Sequence, residues 1–287
     1  MTDLWHQLRS ENIGGSDIAA LFGESPYSTR YKLWHEKKGN LLPPDLDADE
    51  RVQAGKFMEA GALAWANAKW GTEFFQPFVY VKHPRVVGMG CTPDAFDLAN
   101  SDRMAQVKIV DGLQFFKDWD AEGNQIIQAP LHILLQVQHE MLCCERSVSW
   151  LIVLVGGNRL FHMICEADAI IAATLVGGVQ AFWQSQRDGV EPAPDFARDG
   201  VAIEQFRKRL PVIDVLDLNG NGYFRERAKE CLAATVQRNR LNDELDALHA
   251  EIGHLAGNAQ LVRCDDMLLK FYPHRKNPKI TTEGAVL

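Results

Sequence analysis

Along the first 200 residues the spacing of apolar positions switches repeatedly between the helical period of 3.6 and the strand period of 2. Helical spacing predicts short helices over 16–22 and 29–37. A longer one is predicted over 49–70, with Val52, Phe57, Leu63, Ala66 and Trp70 as its apolar stripe and Gly71 as its stop. Segments 74–82 and 86–90 are rich in aromatic and β-branched residues. With 104–110 they predict strands of one meandering sheet, broken at His83-Pro84 and at Thr92-Pro93-Asp94. Residues 128–146 read as a helix, 148–155 and 159–166 as a hairpin about Gly156-Gly157-Asn158, and 167–187 as a closing helix ended by Gly189. Leu241, Leu245, Leu248, Ile252 and Leu255 then recur at helical spacing. A short strand pair within 260–272 follows, and the end is basic, with Lys270, Arg275, Lys276 and Lys279. The pattern divides the chain into a core of 1–195 and an extension of 196–287, helical and then briefly β.

Composition narrows the class. The chain has 287 residues, 46% of them hydrophobic and 24% charged, which describes a globular protein and argues against a disordered or collagen-like one. No apolar run follows a charged start, so no signal peptide is expected, and 169–183 is too short to cross a bilayer. The expected setting is the cytoplasm of a bacterial or phage-infected cell, with no membrane association. Six cysteines without CxxC spacing read as free thiols, which also weighs against an iron–sulfur cluster. Lys plus Arg number 30 and Asp plus Glu 38, a net charge of −8. That is the wrong sign for a protein that holds nucleic acid by an overall basic surface.

The chemistry-bearing residues change that picture. Glu59 lies on the long helix, Pro93-Asp94 enters a strand, and Gln106-Val107-Lys108 follow on the next one. Residues i and i+2 of a strand share a face, so Gln106 and Lys108 point the same way while Val107 packs into the core. Carboxylates from a neighbouring strand and a packing helix can converge there on an oxygen-rich Mg²⁺ pocket beside a lysine. Phosphodiester hydrolysis needs those parts, because charge develops on the phosphate and water must be activated. Taken singly, Glu59 and Asp94 would be a solvated helix acid and a turn aspartate.

The ordered set resembles the PD-(D/E)xK nucleases, and more closely the phage lambda exonuclease and YqaJ-type viral recombinase family. The resemblance rests on Trp5-His6-xx-Arg9, Ile13-Gly14-Gly15-Ser16, Gly55-Lys56-xx-Glu59, Thr92-Pro93-Asp94, Val107-Lys108 and Leu135-Gln136-Val137-Gln138. It implies an α/β fold with a restriction-endonuclease-like core, a central mixed β-sheet flanked by helices. It implies Glu59, Asp94 and Gln106 as metal ligands with the Val107 carbonyl, Mg²⁺ or Mn²⁺ as cofactor at two ions per site, and Lys108 positioning the attacking water. Family members usually carry Glu where this chain has Gln106. Gln keeps an oxygen but loses a charge, which points to an attenuated or substrate-trapping form, in which restoring Glu would raise hydrolysis about tenfold or more. A family arginine just beyond the xK motif has no match; Gln114 occupies that neighbourhood.

A second constellation is Arg9 with Gly14-Gly15-Ser16. Ser16 reads as an N-cap, the glycines allow close backbone approach, and Arg9 offers a bidentate phosphate partner. By resemblance, Arg9, Gly15 and Ser16 hold the 5′-phosphate of a DNA end. A third is the stripe Gln128, His132, Gln136, Glu140, recurring every four residues. The resemblance brings Gln136 to the DNA or a ligand, whereas His132 and Glu140 read as solvent-facing and His6 and His139 as non-catalytic. The aromatic-basic stretch 27–38 fits either a DNA-backbone contact or a packed helix with a basic outer face.

Together these imply a Mg²⁺-dependent 5′-to-3′ exonuclease acting on double-stranded DNA ends. It would release mononucleotides and leave a 3′ single strand. A toroidal homotrimer and a single-strand annealing recombinase are the implied partners. Two other readings stay open: a catalytically silent DNA-end binding module, and an endonuclease of the same superfamily.

Overall fold

A computed structural model describes residues 3–43, 48–272, 274 and 277–282. Arg275 and Lys276 of the basic end lie outside the described residues. The chain forms two compact units, Met1–Pro211 and Val212–Leu287.

The first unit is built on a seven-stranded mixed sheet in the order β1-β4-β5-β8-β9-β7-β6. Its strands are β1 (Phe74–Phe75), β4 (Ala95–Asp97), β5 (Arg103–Val110), β6 (Asp120–Glu122), β7 (Gln125–Gln128), β8 (Val148–Val155) and β9 (Arg159–Glu166). The centre is the parallel pair β5–β8, with Gln106 opposite Leu151, and β8 turns back antiparallel into β9. Because strand side chains alternate in direction, one sequence feeds two cores. Ala105, Val107, Ile152 and Leu154 pack on one face against Ala62, Leu63 and Ala66 of helix α4 (Glu50–Trp70). Met104, Leu151, Val153 and Val155 pack on the other against Ile133, Val137 and Met141 of α6 (Leu131–Cys144). Covering both faces explains why β8 reads as a nearly continuous apolar run.

Helices α1 (Asp3–Glu11), α2 (Gly15–Leu21), α3 (Arg30–Lys37) and α7 (Ala169–Asp188) complete the far side of α6, where Ile18, Leu33, Trp34, Leu175, Val179 and Phe182 form a third cluster. Helices α5 (Gly112–Asp118) and α8 (Gly200–Arg207) are short. Gly71 and Gly189 end α4 and α7 at φ 65 and 68, the left-handed caps that glycine adopts without a Cβ penalty. The second unit holds α9 (Gly222–Ala256) and a three-stranded antiparallel sheet of β10 (Leu261–Cys264), β11 (Met267–Lys270) and β12 (Lys279–Thr282). The expected strand pair therefore gains a third member.

Three expectations need correction. Of segments 74–82 and 86–90 only Phe74–Phe75 joins the main sheet: β2 (Val81–Lys82) and β3 (Gly90–Cys91) pair separately as a two-stranded sheet. Between β1 and β2 the strand path is broken at Phe78, which takes φ 49 after Pro77. On α4, Phe57 is 83% exposed, and the buried stripe is Ala62, Leu63 and Ala66. Ser16 is not the N-cap of α2. Gly14 is, and its N–H donates to Asp17 Oδ2 at 3.1 Å.

Candidate active site

The site gathers where β4, β5, α4 and α6 meet. Strand β4 pairs antiparallel with β5, Ala95 opposite Ala105, so Asp94 and Gln106 come side by side. Asp94 Oδ2 accepts from Gln106 Nε2 and, at 2.8 Å, from the Val107 N–H. Burial pushes the Asp94 carboxyl up to about 7, with Lys108 opposing and Glu59 adding to the rise. Glu59 approaches from α4, where Gln76 Nε2 donates to its Oε1 at 2.8 Å, and burial raises its carboxyl too. Lys108 Nζ donates to Gln136 Oε1 at 3.0 Å. Of the residues singled out in the sequence, Glu59, Asp94, Gln106, Lys108 and Gln136 are thus brought together. Val107 turns its side chain into the core, as its place between Gln106 and Lys108 requires.

Sequence reasoning misjudged Glu140. It is 2% exposed, not solvent-facing. Its Oε1 accepts from Gln136 Nε2 at 2.8 Å, which links it through Gln136 to Lys108. Burial, then the charge of Asp94, pushes its carboxyl up to about 8. The i+4 spacing from Gln136 was the available signal; what it could not tell is which face of α6 is covered.

Gly15 also reads differently. A Cβ built there would run into Glu140 Oε1 and lie 3.1 Å from Gln136 Cγ. Gly15 is buried, and its lack of a side chain lets α2 lie against α6. Arg9 and Ser16 are brought together, Arg9 Nη2 donating to Ser16 Oγ at 3.4 Å, with the guanidinium over the Trp5 ring at 4.7 Å. Of the basic stretch, Lys37 turns inward and donates to Arg9 O, Asn12 O and Asp17 Oδ2 at 2.6–2.8 Å, clamping α1, α2 and α3. Tyr31 and Trp34 are core residues. His139 is buried and bonded to Gly90 O at 2.9 Å, and Gln114 is bonded to Asp118 on α5.

Carboxylates, an amide oxygen and a backbone carbonyl are donors of the type that Mg²⁺ and Mn²⁺ prefer. Among the described residues no three His, Cys, Asp or Glu side chains gather closely enough to hold a metal ion. A cation here therefore needs neutral oxygens beside the carboxylates. Gln106 Oε1, buried and without a hydrogen-bond partner among the described residues, fits that need.

The profile of the YqaJ-like viral recombinase domain matches residues 4–147, which contain every site residue named above. The chain belongs to that family. It is 25% identical over 270 residues to the uncharacterized protein YqaJ of Bacillus subtilis (strain 168), covering 90% of this chain and 79% of that protein. Its fold is that of the alkaline exonuclease LHK-Exo from Laribacter hongkongensis, with TM-score 0.54 and 16% identity over 70% of this chain and 100% of that one. LHK-Exo in complex with dAMP gives 0.52 and 16%, over 71% and 99%. No helix among the described residues is long and apolar enough to cross a membrane.

Proposed function

We propose that the chain is a divalent-metal-dependent exonuclease that degrades one strand of linear duplex DNA from its 5′ end, releasing mononucleotides and leaving a 3′ single strand. The observation that carries this reading is the meeting of Asp94, Glu59 and the Gln136-held Lys108, from three different elements, at one end of the β4–β5 pair. The likeness of fold to an alkaline exonuclease solved with dAMP supports it.

Glu59, Asp94, Gln106 Oε1 and the Val107 carbonyl would hold Mg²⁺ or Mn²⁺, two ions per site in the reading the family suggests. When bound, the metal polarises the phosphate and makes hydroxide available near neutral pH. Lys108 orients the attacking water and steadies charge on the phosphate oxygens, and Gln136 keeps its Nζ from swinging away. Arg9 and Ser16 clasp the 5′-phosphate through paired charged and hydroxyl donors, which fixes the polarity. A homotrimeric ring around the duplex would supply processivity, and a single-strand annealing protein would take over the exposed 3′ strand. The family's description as a viral recombinase domain supports that partnership.

The test compares linear duplexes with and without a 5′-phosphate and a covalently closed circle, with Mg²⁺. Mononucleotides from the phosphorylated linear duplex, none from the circle, and loss of release in Asp94→Asn are expected. Cutting of the circle would instead identify an endonuclease; no Mg²⁺-dependent release from any substrate would identify an end-binding module.

A further inference from the structure

Two buried oxygens in the candidate site have no partner. Gln106 and Glu140 are each 2% exposed. Among the described residues, neither Gln106 Oε1 nor Glu140 Oε2 accepts a hydrogen bond. An unsatisfied buried acceptor costs about 1–3 kcal/mol, and more when charged. Native interiors therefore rarely leave two such atoms in one site.

The surrounding bonds define what these oxygens can take. Gln106 commits its Nε2 to Asp94, which leaves its amide oxygen as a bare acceptor. Glu140 commits Oε1 to Gln136, which leaves Oε2. Asp94 and Glu140 stand at the two ends of the bonded set Gln106–Asp94 and Lys108–Gln136–Glu140, and the charge of Asp94 works against that of Glu140. A water would satisfy the acceptors and leave that repulsion in place. A hard divalent cation would do both.

We propose that Glu140 is a ligand for a divalent cation, sharing it with Asp94 and the Gln106 amide oxygen, so that α6 supplies the carboxylate that position 106 lacks. The proposal rests on the nuclease reading above and deepens it. Glu59, Asp94 and Glu140 restore the count of three carboxylates around the site that a Glu at 106 would give. Mg²⁺ is commonly held by one or two carboxylates with neutral oxygens and water, so Asp94 and Glu140 suffice without a third acid close by. The same arrangement gives Gly15 its reason, since any side chain there would displace Glu140 Oε1. Gln106 is then a working ligand of a complete site, in place of the attenuation expected from position 106 alone.

The experiment is calorimetric titration of Mn²⁺ into the full chain without DNA, on the unsubstituted protein, Glu140→Gln, Asp94→Asn and the exchange Gln106→Glu/Glu140→Gln. Glu140→Gln should weaken Mn²⁺ binding at least about tenfold while melting, in EDTA, no lower than the unsubstituted protein, since it removes a buried acid. The exchange should restore affinity to within about threefold, because the carboxylate has only changed its attachment. Unchanged Mn²⁺ affinity in Glu140→Gln, with affinity lost in Asp94→Asn, would overturn this proposal and spare the nuclease site. Unchanged affinity in both would overturn the two together. Loss in Glu140→Gln without recovery in the exchange would also overturn it, because Glu140 would then act by a route other than supplying the missing carboxylate.

Discussion

At the residue scale, Arg9 carries the sharpest expectation. It is held between the Trp5 ring and Ser16 Oγ, so its guanidinium is oriented before any ligand arrives. A charge-assisted hydrogen bond to phosphate contributes about 1.5–3 kcal/mol, a factor of about ten or more in rate or affinity. Arg9→Ala is therefore expected to remove the preference for 5′-phosphorylated over 5′-hydroxyl ends, read from initial rates on otherwise identical linear duplexes. A preference that survives would take Arg9 out of the site. Individual residues were legible where a short-range rule fixed them. Gln106 and Lys108 share a strand face by the period of 2, and Asp94 falls beside them once β4 pairs with β5. Glu140 was not legible. Spacing of four puts it in line with Gln136, but periodicity says nothing about what covers a stripe, and here the cover is the backbone of α2.

At the scale of elements, that α2–α6 contact is the place to test. Gly15 is where the two helices press together, with Glu140 Oε1 and Gln136 Cγ filling the space a Cβ would need. Gly15→Ala forces either α2 outward or the Gln136–Glu140 pair out of position. Overpacking of this kind costs about 1–3 kcal/mol, measurable as a lower urea midpoint with unchanged slope. An unchanged midpoint would mean that α6 yields freely at this point. The same element shows why some of the fold was readable and some not. The β8–β9 hairpin follows from the nearly continuous apolar run of β8 and the mixed strand pattern of β9 around Gly156-Gly157-Asn158, each strand pairing along its full length. The β6–β7 hairpin was missed because Asp120–Glu122 carries little apolar pattern, and α1 was missed although Leu4, Trp5 and Leu8 stand at helical spacing, because the segment is short and otherwise polar. Phe57 misled for the opposite reason: a large apolar residue on the right helical spacing stands exposed, since α4 meets the sheet through Ala62, Leu63 and Ala66, with Met58 and Trp70 beside them.

At the scale of the whole molecule, the net charge of −8 constrains how the chain meets DNA without excluding it. Total charge does not register where cations stand: Lys37 is spent inside the fold, whereas Lys108 stands beside Gln136 in the candidate site and Arg9 beside Ser16. A second global property follows from buried histidines. His35 is fully buried among Tyr31, Trp34 and Phe206, with Asn40 Nδ2 at 2.9 Å from its Nδ1, and burial holds its pKa below the ordinary value. The Glu191 carboxylate, 3.6 Å from Nε2, opposes this without reversing it. His83 is also lowered, by burial and then by Arg85, while its Nδ1 accepts from the N–H groups of Arg85 and Val86. Both rings therefore take up a proton less readily folded than unfolded, and the unfolded chain binds the extra protons as pH falls. Stability from these two groups is fully present above about pH 6.5, the ordinary histidine value, and is lost as pH falls below it toward the folded pKa. Each ring contributes a slope of at most about 1.4 kcal/mol per pH unit. Asp94 and Glu140, pushed up to about 7 and about 8, act in the opposite sense over the same range, so the two rings are read by comparing urea unfolding at pH 7.5 and 5.5 between variants and the unsubstituted protein. In His35→Gln and His83→Gln stability at pH 5.5 should rise relative to that at pH 7.5, by comparison with the unsubstituted protein, even though each substitution lowers stability at both. A difference of the same size in the variants would mean that these rings do not set the acid limit of the fold.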